Sequence, residues 1–370
     1  MKIVRAPRFE LSRLRLDEPK FISAAPTQLI APIKLRALNA IAARRTVNLK
    51  EKKFRRIFYA TDIHGSERCF RKFLNATKFY HADDLILGGD ITGKIVIPIV
   101  DLGDGTFKAD YLGREEIAKS AEQAKRLEQL IADSGYYYYH VDKSAMDHKP
   151  SPEEINELFV KAMKETLGRW VEFAEQFLRD TETVCYITGG NDDLQEVIDG
   201  IHDGEHVKNP DNKVVKIDET HEMASMGYGN PTPWKCPRDI SEKELGERID
   251  KVMSSVSDPA NCILNFHVPP VNCGLDTVAK LDDSVYPPKP FTEGGQPVLF
   301  GAGSESVRNT IAKYQPLLDL CGHIHESRGT CKIGKTLVIN PGSEYSEGIL
   351  RGAIVNIADK KVLSWQLTSG

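Results

Sequence analysis

The chain has 370 residues, 41% of them apolar and 28% charged. That excludes a disordered chain and a disulfide-stapled miniature, and leaves a globular protein of two modest domains or one large domain with insertions. With 49 basic and 53 acidic residues the formal charge is −4, so no global field draws the protein to nucleic acid or to an anionic membrane.

In chain order, residues 1–50 come first, with eleven Lys/Arg against three Asp/Glu, leaving about −12 by difference on the other 320. Arg5, Arg8, Arg13, Arg15, Arg44 and Arg45 make this a basic N-terminal arm, read as a solvated extension; phosphate contacts, and so nucleic acid, are its less favoured use. No apolar run reaches the ~18 residues that span a bilayer, and the start lacks the features of a secretory signal. We expect a cytoplasmic protein without membrane contact. Its seven cysteines form an odd set with no C-x-x-C pair, so reduced thiols are expected rather than a zinc ribbon or a disulfide framework.

Six short apolar runs then end abruptly in polar or glycine residues. Ile57 to Ala60 leads into Thr61-Asp62, Leu85 to Leu87 into Gly88-Gly89-Asp90, and Val184 to Ile187 into Thr188-Gly189-Gly190-Asn191. Cys262 to Phe266 leads into His267, Leu317 to Cys321 into Gly322-His323, and Leu337 to Ile339 into Asn340-Pro341-Gly342. Apolar runs without alternation suit strands buried on both faces, and helical patterns lie between several of them, which predicts an α/β layered fold. In such sheets ligands sit at the carboxyl ends of the strands.

Between the second and third runs lies an insertion at about 95–181, too long to lack structure of its own. It reads as a hairpin around Asp104-Gly105, then a helix from Arg114 to Ser134, then a second helix from near Pro152 to Leu178. Ser151 and Glu154 have capping-box spacing for that second helix. Tyr136 to Tyr139 could stack a ring, but packing within the insertion is the favoured use. Residues 203–250 and 283–304 read as loop and turn.

The chemistry-bearing residues fall at the strand ends. Asp62 and His64 stand two apart after the first strand, Asp90 ends Gly88-Gly89-Asp90, and Asn191 follows Gly189-Gly190. His267 follows a fourth strand, and His323 and His325 stand in Gly322-His323-Ile324-His325 after a fifth. Each piece alone has an ordinary reading as a turn or a core histidine. Together they make seven oxygen and nitrogen ligands, too many for one tetrahedral ion and suited to two divalent ions that share a carboxylate.

In this order, D-x-H, G-D, G-N, H, G-H-x-H, the sequence resembles the calcineurin-like metallophosphoesterase superfamily, and within it the bacterial and archaeal branch of predicted phosphoesterases with a G-G-N-D-D motif. The match covers roughly Arg55 to Leu102 and Glu182 to the C-terminus. The resemblance implies an α-β-β-α sandwich of two mixed sheets flanked by helices, here with a helical and hairpin insertion, so that residues 51–370 form the metallophosphoesterase domain. It implies that Asp62, His64 and His325 hold one metal, that Asn191, His267 and His323 hold the other, and that Asp90 bridges them. Mixed carboxylate, amide and imidazole ligands suit Mn, Fe, Co, Ni or Zn, and the resemblance favours Mn or Fe.

The function expected is a phosphoester hydrolase, a phosphodiesterase before a monoesterase, in which a metal-bridging hydroxide attacks phosphorus in line. The substrate would be a phosphoester, nucleotide-like or otherwise. Asn191, His267 and Asp192 are the expected catalytic residues. Asp192 departs from the pattern, because many members carry a histidine there that serves the leaving-group oxygen. Three routes stay open: Asp192 with a raised pKa, a histidine from elsewhere such as His202, His206 or His221, or a substrate with a good leaving group. A nuclease of the same fold and a non-catalytic metal-binding scaffold are the alternatives. The insertion would be a lid or an oligomer interface.

Overall fold

Along Arg55–Ala60 (β1) alternate side chains part to opposite sides: Ile57 and Tyr59 enter one apolar cluster, Phe58 and Ala60 another. A strand buried on both faces needs this period-two division of an unbroken apolar run. The computed structural model describes residues 54–144, 150–282, 284–285 and 287–370. The basic arm expected over 1–50 lies outside the described residues.

After β1 come helix α1 (Glu67–Tyr80), capped by the Ser66 side chain, and β2 (Asp84–Gly88). The insertion follows with β3 (Val96–Asp101), β4 (Phe107–Tyr111), β5 (Arg114–Ala118), α2 (Ala121–Asp133), β6 (Tyr137–Asp142) and α3 (Pro152–Leu178). Next are β7 (Val184–Thr188), the short α4 (Gln195–Ile198), β8 (Val207–Lys208), β9 (Val214–Lys216), β10 (Glu222–Met226), α5 (Glu242–Met253) and β11 (Cys262–Phe266). A branched ribbon pairs β12 (Thr277–Ala279) with β17 (Leu299–Gly301). Within it, β13 (Leu281–Asp282) pairs with β14 (Lys289–Pro290), and β15 (Thr292–Glu293) with β16 (Gln296–Pro297). The chain ends with α6 (Glu305–Tyr314), β18 (Leu318–Leu320), β19 (Gly329–Ile333), β20 (Thr336–Asn340), β21 (Arg351–Ala358) and β22 (Lys361–Ser369).

Two six-stranded mixed sheets result, in the orders β22-β21-β1-β2-β7-β8 and β19-β20-β18-β11-β10-β9. Between them lies one core, with Ile57, Tyr59 and Ile86 facing Ile263, Leu318 and Ile339. The outer face of the first sheet packs on α1 and α3 through Phe58, Phe73, Leu85 and Trp170. The outer face of the second packs on α5 and α6 through Leu264, Leu245, Ile249 and Ile311. The layers are therefore α-β-β-α, the expected fold class. Among the described residues no helix is long and apolar enough to cross a membrane.

Three expectations need correction. Arg114–Ser134 is not one helix: Leu112 and Gly113 take positive φ (49° and 75°) and turn the chain, so that β5 pairs with β4, and the helix starts only after the Ser120 cap. Two-residue turns of that kind match the twist of a hairpin and set its register. Residues 203–250 are not loop throughout, since they supply β10, fully inside the second sheet, and the amphipathic α5. Residues 283–304 contribute most of the ribbon instead of plain turns. The capping box at Ser151 and Glu154 starts α3, and Tyr137 to Tyr139 of the tyrosine run pack in β6, parallel to β3 in the insertion's four-stranded sheet.

Candidate functional site

The loops after β1, β2, β7, β11 and β18 converge at one end of the sandwich. Their backbones stay tied beyond the strands: the Asp62 amide donates to the Gly89 carbonyl (2.9 Å) and the His64 amide to that of Asp90 (3.0 Å). Asp62, His64, Asp90 and His323 all take left-handed φ, at 54°, 39°, 49° and 67°. For L-residues such a backbone costs about 1 kcal/mol or more each and persists only where surrounding contacts over-determine it. The contacts are present. The Ser343 hydroxyl donates to the Asp62 carbonyl (2.6 Å), and the His323 amide to the Asp62 carboxylate (3.0 Å).

The side chains turned inward make two adjoining groups. In the first, His64 Nε2 and His325 Nε2 are 3.1 Å apart and His325 Nε2 lies 3.4 Å from Asp62 Oδ1. In the second, His267 Nε2 is 3.3 Å from Asp90 Oδ1, and His323 Nδ1 is 2.9 Å from Asn191 Oδ1. Asp90 reaches both, its other oxygen lying 3.7 Å from His64 Nε2. Ligand atoms of Asp62, His64 and His325 lie within 4.8 Å of one another, and so do those of Asp90, His267 and His323. A Cβ on Gly190 would collide with the Asp90 carboxylate, which is why a glycine precedes Asn191.

Each ring and amide is oriented from behind. His267 Nδ1 donates to the Gly88 carbonyl (3.0 Å), leaving Nε2 to face the centre without a hydrogen-bond partner. Asn191 Nδ2 donates to Asp239 Oδ1 (2.8 Å), which turns Oδ1 inward. Asp239 is held in turn by the Thr232 hydroxyl and the Cys236 amide. Buried Arg238 pairs with Asp211 (2.7 Å), and its amide supports the Asn191 carbonyl.

Electrostatics separates the groups. Burial works against the carboxylate of Asp62, but the hydrogen bond from His325 and the charge of His267 hold it at about 2. Burial likewise opposes ionised Asp90, yet the charge of His267, with Nε2 3.3 Å away, keeps it well below the usual range. His267 shows the reciprocal effect: the carboxylate of Asp90 overcomes burial and lifts it to about 9. Burial and then the charge of His267 lower His323 to about 4, and burial with Lys94 holds His64 well below its ordinary value.

The G-N-D-D run serves three ends. Asn191 faces the centre. Asp192 sits at the rim, its amide donating to Asp90 Oδ1 (3.0 Å) and its carboxylate 2.8 Å from Lys94 Nζ. Asp193 turns inward and accepts from the amides of Ile91, Thr92 and Gly190 and from the Thr92 hydroxyl, bracing the β2 loop against the β7 loop. Burial, with the charge of Asp90, raises its carboxyl to about 6.

The structure leaves His206 and His221 away from this centre. His206 Nδ1 bonds the Thr183 carbonyl at the amino end of β7, and His221 pairs with Asp218 at the amino end of β10. His202 is exposed in the connection from α4 to β8. Sequence reasoning missed Lys94, Tyr345 and Asp239. Tyr345, after the Asn340-Pro341-Gly342 turn, lays its ring 4.7 Å from that of His64.

The two-sheet sandwich has the layer order that the sequence resemblance implies, and these side chains gather at its strand ends. No family profile matches the chain. The uncharacterized protein MJ1162 of Methanocaldococcus jannaschii is 33% identical over 179 residues, covering 47% of this chain and 71% of that protein, and the chain belongs to its family. Similar solved structures include TT1561 of Thermus thermophilus, with a TM-score of 0.45 and 14% identity over 86% of this chain and 98% of that one. A novel archaeal phosphodiesterase gives 0.29 and 12% over 85% and 99%. The phosphoesterase YfcE of E. coli gives 0.27 and 11% over 84% and 98%.

Proposed function

We propose that the protein is a metal-dependent phosphoester hydrolase, acting on phosphodiesters, that holds two divalent cations. Asp62, His64 and His325 would bind one, Asn191, His267 and His323 the other, with Asp90 between them. The observation that carries this reading is the pair of adjoining ligand groups, both within reach of the two oxygens of Asp90. The donor set fits divalent ions: His267 Nε2 is buried, aimed inward and without a hydrogen-bond partner, and the His64 and His325 rings oppose nitrogen to nitrogen. Carboxylate, amide and imidazole ligands without thiolate suit Mn, Fe, Co, Ni or Zn, and the resemblance favours Mn or Fe. When bound, two such ions supply Lewis acidity, gathering phosphoryl oxygens and drawing a nucleophile from water at neutral pH.

The chain's own residues do the rest. Asn191 and His267 set the oxygen and nitrogen donors on one side, Asp90 fixes the spacing of the two groups, and Tyr345 covers the His64 ring against water. We take residues 51–370 as the catalytic domain and 95–181 as its inserted subdomain. The diester preference rests on the resemblance, in which branches lacking the histidine after the asparagine still cleave diesters.

The test is hydrolysis of bis-p-nitrophenyl phosphate against p-nitrophenyl phosphate by metal-stripped protein resupplied with Mn, with Asp90→Asn as control. Diester turnover that needs both Mn and Asp90 is expected. A folded protein that binds two ions and cleaves neither ester would sink the hydrolase reading.

A further inference from the structure

Lys94 lies at the start of the insertion, its side chain held by one ion pair and the backbone just before it braced by two neighbours. Asp193 holds Thr92 by amide and hydroxyl, the Tyr137 hydroxyl accepts from the Gly93 amide (2.9 Å), and the Asp192 carboxylate lies 2.8 Å from Nζ. The braced backbone and the ion pair lower the entropy cost of directing this long side chain into the site. The Asp192 carboxylate also shares a ligand-distance group with His64 and Asp90. The ammonium is therefore at the edge of the candidate metal centre and not on a remote surface.

Its exposure points the same way. The Lys94 side chain is 41% exposed and that of Asp192 23%, so the pair stands at the solvent-facing rim of the site. An ammonium has three N–H donors, and the bond to Asp192 uses one. Burial works against this charge, but Asp192 and then Asp90 hold it above the ordinary lysine value. Without Lys94, a bare carboxylate at the rim would repel an anionic ester. With it, the rim offers a cation held against Asp192.

We propose that Lys94, positioned by Asp192, binds the phosphoryl or leaving-group oxygen of the ester at the His64 side of the site. This assignment rests on the phosphoesterase reading. Lys94 takes the charge-stabilising part left open by the missing histidine, while Asp192 is a positioning residue. In the hydrolysis, water adds to phosphorus and the ester P–O bond breaks with its electron pair on the leaving oxygen. The proton lost by water reaches that oxygen through solvent, and Lys94 remains an ammonium throughout. A preorganised cation aimed at developing charge acts most strongly on poor leaving groups.

The experiment compares wild type, Lys94→Met, Lys94→Arg and Asp192→Asn, each loaded with Mn and assayed for Mn content. Binding of inorganic phosphate is titrated calorimetrically, and kcat/KM is measured on phosphodiesters with leaving groups of graded acidity. Lys94→Met should keep the wild-type Mn content, bind phosphate about tenfold more weakly, and depend more steeply on leaving-group acidity. Lys94→Arg should recover most of the phosphate affinity, and Asp192→Asn should shift the same readings by less. Unchanged phosphate affinity in Lys94→Met, or a loss matched by lost Mn in both lysine variants, would overturn the assignment. If wild type takes up Mn but cleaves no ester, the hydrolase reading fails by itself, and the phosphate titration still decides the role of Lys94.

Discussion

His64 and His325 oppose their rings, with Nε2 to Nε2 at 3.1 Å and the Asp62 carboxylate 3.4 Å from the His325 nitrogen. His64 Nδ1, on the far side of its ring, is buried without a hydrogen-bond partner. Burial and Lys94 hold this imidazole well below its ordinary pKa, so it is neutral at pH 7 and has a lone pair to give. A shared cation satisfies both inward nitrogens, which a single proton between two rings does less well.

Metal should therefore stabilise the fold. Adding Mn to stripped wild type is expected to raise the thermal unfolding midpoint, by about 2.7 kcal/mol of linkage at a hundredfold excess over Kd. His325→Ala should lose much of this gain. A midpoint that stays flat across the Mn titration in wild type would make the ring pair an ordinary packing contact.

Asp239 offers a sharper test of the second group, because it touches no candidate ligand except the back of the Asn191 amide. Asp239→Ala removes the acceptor that turns Asn191 Oδ1 toward His323. Partners of this kind are typically worth about ten- to a hundredfold in metal affinity, and a loss of that size is expected in a competition titration with a chelating dye. Wild-type affinity in the variant would mean that Asn191 is oriented by other contacts.

Much of the framework was legible in sequence because β1, β2, β7, β11, β18 and β20 each announce themselves by an apolar run that stops at Gly, Asp, Asn or His. The seven candidate ligands could be named for the same reason. What escaped lacks such punctuation. Strand β10 reads Glu-Met-Ala-Ser-Met, with no β-branched or aromatic residue to mark it, and is a strand because β9 and β11 hydrogen-bond it on both sides. Strand β5 follows from a turn whose first positive φ falls on Leu112, which gives no turn signal and leaves Gly113 to mark it alone. Lys94 and Asp239 acquire their roles from partners about 98 and 48 residues away along the chain, Asp192 and Asn191, so no local pattern carries them.

The insertion is locked to the site through Gly135, whose φ is +84° and whose missing Cβ leaves room for the His64 carbonyl. Gly113 has a similar φ of +75° but open space around it. Alanine at either position pays for a left-handed backbone, about 1 kcal/mol, and only at 135 must it also displace the loop that carries His64. Gly135→Ala should destabilise the protein by about 1–3 kcal/mol more than Gly113→Ala, read from urea unfolding. Equal costs would show that the insertion yields without disturbing the His64 loop.

Asp319 poses a different question, since it lies in β18 between Leu264 of β11 and Val338 of β20, fully buried, with both carboxyl oxygens unpartnered. Burial pushes this carboxyl well above the ordinary carboxylate value. In the unfolded chain the same group ionises near pH 3.9. As pH rises above that point the unfolded state gives up a proton that the folded state keeps, so this group subtracts stability, by up to about 1.4 kcal/mol per pH unit until the folded carboxyl ionises too. Asp319→Asn has no proton to lose and nearly the same shape. Wild type and variant should unfold with similar free energies near pH 4 and diverge toward pH 7, with the variant the more stable. Taking the difference between the two proteins cancels every other titrating group. A difference that stays constant from pH 4 to 7 would mean that Asp319 finds a partner or a water in solution and is no burden to the sheet.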